Sequence, residues 1–340
     1  MRPPFLPIFL SLLYRAGVEP MGVLGGNVLL AGFTAWLLYR LSRRVGLDDR
    51  SACIAVAAYL VYPPFSAFTV QLVTENLFIP LILASTLMVL RALDRRSTLD
   101  HGIAGVLLGL AALTRPTALL LPIVLAVPIR RSGSRGMQIA ALLAASALVV
   151  TPWVVRNHLV FGHFQPTATS SGRNLYTGTY PPGRGRGNLL DSEQPASILA
   201  ALPGRDEFGV DSVYAAAAVR NLREYPMQQI PLAASKLVRC WFQVSDRDMF
   251  RPTPRSLMMN GPLLALGVIG WYGLWKRRAP HPWVPVFMVA YSMFVHVTSI
   301  ATVRYNLMSW PFVFMGVGVA VMAMAGASER FRLNRSPPCL

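Results

Sequence analysis

Residues 137–150 (MQIAALLAASALVV) hold neither a charge nor a proline. In lipid the backbone amides of such a block find no partner outside their own segment, so it can cross a bilayer only as a helix. Comparable apolar blocks recur along the chain, separated by short turns rich in arginine. With 54% hydrophobic and 14% charged residues over 340 positions and a mean hydropathy of +0.45, the chain is too apolar for an ordinary soluble domain. The reading is an all-α polytopic membrane protein.

The net charge of +17, from 32 basic and 15 acidic residues, would point to nucleic acid in a soluble protein. Its placement argues otherwise. Arg40, Arg43, Arg44 and Arg50 share one turn; Arg91, Arg95 and Arg96, then Arg130, Arg131 and Arg135, then Lys276, Arg277 and Arg278 share others, and Arg330, Arg332 and Arg335 form a basic tail. That is the positive-inside pattern, so the charge reports topology. Nucleic acid is excluded as a partner, and membrane lipids are the surroundings. Cys53, Cys240 and Cys339 lie far apart and imply neither a disulfide framework nor a metal site. His158 and His163 lack a third ligand, and Asp246-x-Asp248 reads as a solvated loop before it reads as a cation site.

Counting apolar blocks gives about nine spans: 21–39, 51–68, 75–91, 102–113, 118–129, 137–153, 258–275, 283–300 and 307–325. Residues 1–20 hold too short an apolar run to cross, since a spanning helix needs ~20 residues. They read as an interfacial segment or as the core of a signal peptide. The organisation is then an interfacial segment (1–20), an N-terminal bundle (21–153), a mixed extracytoplasmic insertion (154–256), C-terminal spans (257–326) and a cytoplasmic tail (327–340). Within the insertion, 183–187 (GRGRG) reads as loop, 213–225 as helix, and 230–242 as an amphipathic helix lying along the membrane surface with Lys236 and Arg239. The helix before the insertion is expected to end at Thr151-Pro152-Trp153. An odd span count puts residue 1 outside and the C-terminus inside, which suggests either a further span and loop upstream or their replacement by the surface-lying segment.

The junction carries Thr151-Pro152-Trp153, Arg156-Asn157, Phe161-Gly162 and Ser171-Gly172-x-Asn174-Leu175-Tyr176-x-Gly178. Together with Thr74-Glu75-Asn76-Leu77-Phe78, Leu113-Thr114-Arg115-Pro116 and Val303-Arg304-Tyr305 followed by Pro311, it resembles the GT-C class of membrane glycosyltransferases. The nearest likeness is to dolichyl-phosphate-mannose protein mannosyltransferases and lipid A aminoarabinose transferases, glycosyltransferase family 39. The resemblance implies a GT-C-like bundle in a bacterial-type inner membrane. It also implies a polyprenyl-phosphate-linked sugar as donor and a glycan, lipid or protein acceptor at the outer face. It favours an interfacial helix for residues 1–20. In that class the first outer loop carries an aspartate taken as base or metal ligand. No residue of this chain occupies that position, so a divalent cation stays open as cofactor.

Several residues then have two readings each. Glu75 is either part of a helix cap with Thr74 or a carboxylate facing the reaction as base. Arg115, held at membrane depth, points into the bundle as a structural ion pair or carbonyl clamp, or as a phosphate ligand. Arg304 anchors to headgroups or, beside Tyr305 and His296, binds an anionic ligand bidentately. By the resemblance it is the first choice for the phosphate, with Arg115 and Arg156 behind it. Asn174 and Tyr176 position the sugar or the outer domain, or shape a turn. Two other functions stay open: a non-catalytic or truncated GT-C relative serving as partner subunit, and a lipid or glycan flippase, to which the Thr114-Arg115-Pro116 break would suit.

Overall fold

The computed structural model describes residues 3–131, 136–166, 168–184, 189–243 and 251–333. Prolines and caps set most helix starts. Helix α1 (Phe5–Arg15) buries no side chain. Helix α2 (Pro20–Val45) opens on a proline and closes at Gly46, where φ is +109° and a Cβ would run into Pro280. Helix α3 (Asp49–Val61) is capped by Asp48, which accepts from the Ser51 amide. Pro63-Pro64 then turns α4 (Pro63–Thr69) 62° away from it. Next come α5 (Glu75–Arg95) and α6 (Thr98–Thr114), the latter capped by Ser97. Arg115 sits extended before Pro116, as the residue preceding a proline prefers. A single 3-10 turn, Pro116–Ala118, leads into α7 (Leu121–Arg131) and α8 (Gly136–Phe161).

The region between the two groups of spans has the expected loop and two helices, with two shorter helices added among the described residues: α9 (Ser171–Thr179), α10 (Ala196–Ala200), α11 (Glu207–Glu224) and α12 (Pro226–Trp241). Helices α13 (Pro254–Lys276) and α14 (Trp283–Thr298), a 3-10 turn Tyr305–Ser309, and α15 (Trp310–Leu333) complete the chain. All nine blocks expected to span are helical. Five of these helices, α2, α5, α8, α13 and the Tyr305–Gly326 stretch, are long and apolar enough to cross a membrane alone, and the bent α3–α4 pair is a broken span or a re-entrant loop. The described residues form an all-α bundle, and the chain is an integral membrane protein.

Two expectations need correction. Helix α8 does not stop at Thr151-Pro152-Trp153 but runs on to Phe161. Pro152 removes one backbone bond, yet the Thr151 hydroxyl donates to the Ala147 carbonyl and Trp153 and Val154 pack on the core. The helix ends at Gly162, whose φ of +71° is the left-handed stop that Pro152 does not supply. The second concerns α12. Its Lys236 and Arg239 are not surface cations; they are 3% and 8% exposed. Their three-residue spacing sets both on one face, and that face packs against the turn after α14. The Asp246-x-Asp248 pair, Cys339, the last three residues of GRGRG (185–187) and the end of the tail lie outside the described residues.

The bundle is centred on α15, whose residues from Trp310 to Ala320 are buried. Close approach there depends on small residues. A Cβ on Gly316 would overlap the Gly267 carbonyl, and one on Gly318 would overlap that of Ser51. Tyr62, Phe65, Trp310 and Phe314 form an aromatic cluster beside it.

One end of the bundle gathers the arginine-rich turns: Arg43 with Asp49, Arg44 and His281 with Asp94, Arg91 with Asp100. Glu75 is at the opposite end. Helix α5 runs 21 residues from Glu75 to Arg95, about 30 Å at 1.5 Å per residue.

Candidate functional site

Glu75 opens α5 with its side chain almost wholly buried. Its Oε1 accepts from Arg304 Nε at 2.6 Å and pairs with Arg115 Nη1 at 3.1 Å. Its Oε2 accepts from Arg304 Nη2 at 3.3 Å and from the Thr74 hydroxyl at 3.1 Å. Thr74 therefore serves the carboxylate and caps no backbone amide. Arg115 is placed by the break between α6 and the 3-10 turn, and its guanidinium lies 5.6 Å from the Phe78 ring centroid and 5.2 Å from that of Tyr305. Arg304 lies 5.6 Å from that of Phe68. The bond to Glu75 also raises the Arg304 pKa, so it stays a cation. One carboxylate against two guanidiniums leaves the cluster with a net positive charge, which favours an anion beside it.

A cavity opens on each side. Arg304 faces the larger, about 390 Å³, together with Arg239 and Gln243 from the end of α12 and Ser256 and Asn260 from α13. Arg115 faces the smaller, about 200 Å³, with Thr74, Asn174, His296, Ser299 and Tyr305. Buried amides sew the walls together. Asn260 donates to the Trp241 carbonyl and accepts from the Tyr62 hydroxyl. Asn306 donates to the Cys240 carbonyl and accepts from Ser292 and Ser309. Lys236 Nζ donates to the Ser299 carbonyl at 3.2 Å, and burial pushes its pKa down to about 8.

Asn174 reaches the smaller cavity because two motif glycines let α9 approach closely. A Cβ on Gly178 would overlap the Ser299 carbonyl, and one on Gly172 would overlap that of Asp211. The Asp211 carboxylate accepts from the amides of Gly172 and Arg173, fixing the start of the helix.

The structure thus brings together Glu75, Arg115, Arg304, Tyr305, His296 and Asn174, and leaves two candidates elsewhere. Arg156 lines neither cavity; it packs over Trp153 and Phe161 and donates to Asn157. Tyr176 is 2% exposed in a separate core with Tyr180 and Tyr214. Arg239, Gln243 and Asn260 are cavity residues that reading the sequence did not single out for the site. The signal for Arg239 was its spacing from Lys236 on an amphipathic helix; Asn260 had none beyond being polar inside an apolar block. Among the described residues no group of three or more His, Cys, Asp or Glu could hold a metal.

A solved structure of similar fold is the oligosaccharyltransferase of Archaeoglobus fulgidus tethered to an acceptor peptide containing the NVT sequon. It matches at a TM-score of 0.57 and 15% identity, over 97% of this chain and 42% of that one. The present chain therefore spans about two-fifths of that protein's length. That likeness shows a GT-C-like fold. Residues 1–155, a little under half of the chain, match the sequence model of the dolichyl-phosphate-mannose-protein mannosyltransferase family. A search of curated proteins finds no match.

Proposed function

We propose that this chain transfers a sugar from a polyprenyl phosphate to a glycan, lipid or protein acceptor at the outer face of the inner membrane. In this reading the α9–α12 region lies outside and the C-terminus in the cytoplasm. The observation that carries it is the net positive Glu75–Arg115–Arg304 cluster between two cavities. A lipid phosphate leaving the sugar takes up negative charge, and preorganised guanidiniums answer that charge as it develops. Arg304, half exposed toward the larger cavity, meets the phosphate. Arg115 supports it from the other side, while Asn174 and Tyr305 border the sugar or acceptor. Glu75, with four donors on its two oxygens, holds the arginines in place in preference to acting as a free base.

The test is transfer of label from lipid-linked sugars by the chain in membrane vesicles. Arg304→Ala is expected to lose on the order of a hundredfold or more in rate, with insertion unchanged. Unaltered transfer would remove Arg304 from the mechanism. A specific observation favours a second reading, the non-catalytic relative: neither cavity is lined by an acid among the described residues. A wild-type chain that binds lipid-linked sugar without transferring it supports that reading, and movement of the lipid across the bilayer without transfer supports the flippase.

A further inference from the structure

We propose that His296 is the proton acceptor for the incoming acceptor hydroxyl. The inference rests on the transfer reaction proposed above and supplies the base that Glu75 is too fully engaged to provide. His296 lies in the last turn of α14 and is 2% exposed. Its Nε2 has no hydrogen-bond partner. A buried polar atom left in that state costs stability, and a ligand hydroxyl is a group that would satisfy it. The ring borders the smaller cavity beside Arg115, Tyr305, Asn174, Thr74 and Ser299. It stacks on Tyr305 at 6.1 Å between centroids, and the same Tyr305 ring carries the Arg115 guanidinium at 5.2 Å. One aromatic ring thus separates the imidazole from the cation cluster assigned to the phosphate.

The step balances within these groups. The acceptor oxygen forms its bond to the anomeric carbon, and its proton passes to Nε2. The bond from that carbon to the phosphate oxygen breaks with the electron pair on the phosphate, opposite the arginines, and the imidazolium later returns its proton to water. The charged and titratable groups around the ring are Arg115 and Tyr305, with Glu75 and Arg304 behind Arg115 and Lys236 across the Ser299 carbonyl.

The full chain in vesicles, given polyprenyl phosphates carrying labelled mannose, glucose or aminoarabinose, tests this with His296→Ala and His296→Gln across a pH series. The expected result is a loss on the order of a hundredfold or more in both, disappearance of the acidic limb of the pH–rate profile, and partial rescue of His296→Ala alone by added imidazole. His296→Gln at the wild-type rate overturns the proposal. So does a slow His296→Ala whose pH profile is unchanged and which imidazole does not restore. Elution and melting temperature show whether each variant is folded, and His296→Gln, the closer in shape, carries the test if His296→Ala is not. A wild-type chain that transfers none of the sugars overturns the transferase reading and this inference with it, an outcome distinct from an active wild type with an indifferent His296.

Discussion

Each end of the bundle holds an acid between two bases, and the surroundings make the two arrangements different. Asp94 accepts from Arg44 at 2.6 Å and lies 3.2 Å from His281, with its side chain 44% exposed. Glu75 binds Arg304 and Arg115 at similar distances with its side chain 2% exposed. Water screens the first set, so those pairs contribute about 0–1 kcal/mol. The second is shielded, and each charge there depends on the others for solvation. Residues of similar types therefore stand in water at one end and form a shielded cluster at the other.

The sharpest way to break the comparison is Glu75→Gln. It leaves two guanidiniums, one largely buried, without a counter-charge, and is expected to cost about 3–5 kcal/mol, read as a fall in melting temperature in detergent. A change as small as that at an exposed pair would show that water reaches Glu75 and that the two ends are alike.

Lys236 sharpens it through pH. With a folded pKa of about 8 against 10.5 unfolded, its charge is disfavoured in the folded state, and that cost is full below pH 8, where both states are protonated. As pH rises from 8 toward 10.5 the folded chain sheds its proton while the unfolded chain keeps its own. Stability then rises by on the order of 3 kcal/mol across that window. Melting temperature should climb over this range in the wild type more than in Lys236→Met; equal slopes would show that the lysine is solvated. The smallest effect is expected from Asp94→Asn, a loss within about 1 kcal/mol and unaltered transfer, checked by melting and by the same vesicle assay.

Much of this was legible in the chain. The apolar blocks and arginine turns marked every helix that serves the bundle, and Thr74-Glu75, Thr114-Arg115-Pro116 and Arg304-Tyr305 each stood out. Arg115 does point into the bundle, where the ion pair and the proposed phosphate role meet in one geometry. Other residues misled for physical reasons. Tyr176 and Arg156 sit in motifs beside site residues, yet helical geometry turns Tyr176 into a separate core and lays Arg156 on aromatic rings. Arg239 looked like a surface cation because amphipathicity shows that a helix has two faces and does not say what covers the polar one.

What the amino-acid order determined by itself was local: which stretches must be helical in lipid, where charge interrupts them, and hence the membrane-embedded helical class, since backbone hydrogen bonding and charge partition act on each segment alone. Only the tertiary structure decided that Arg304 meets a carboxylate 229 positions away, that α12 turns its cations inward, and that a histidine bordering a cavity keeps a buried imidazole nitrogen without a partner. Those outcomes depend on how closely glycine-lined helices pack, and that packing involves all the segments together.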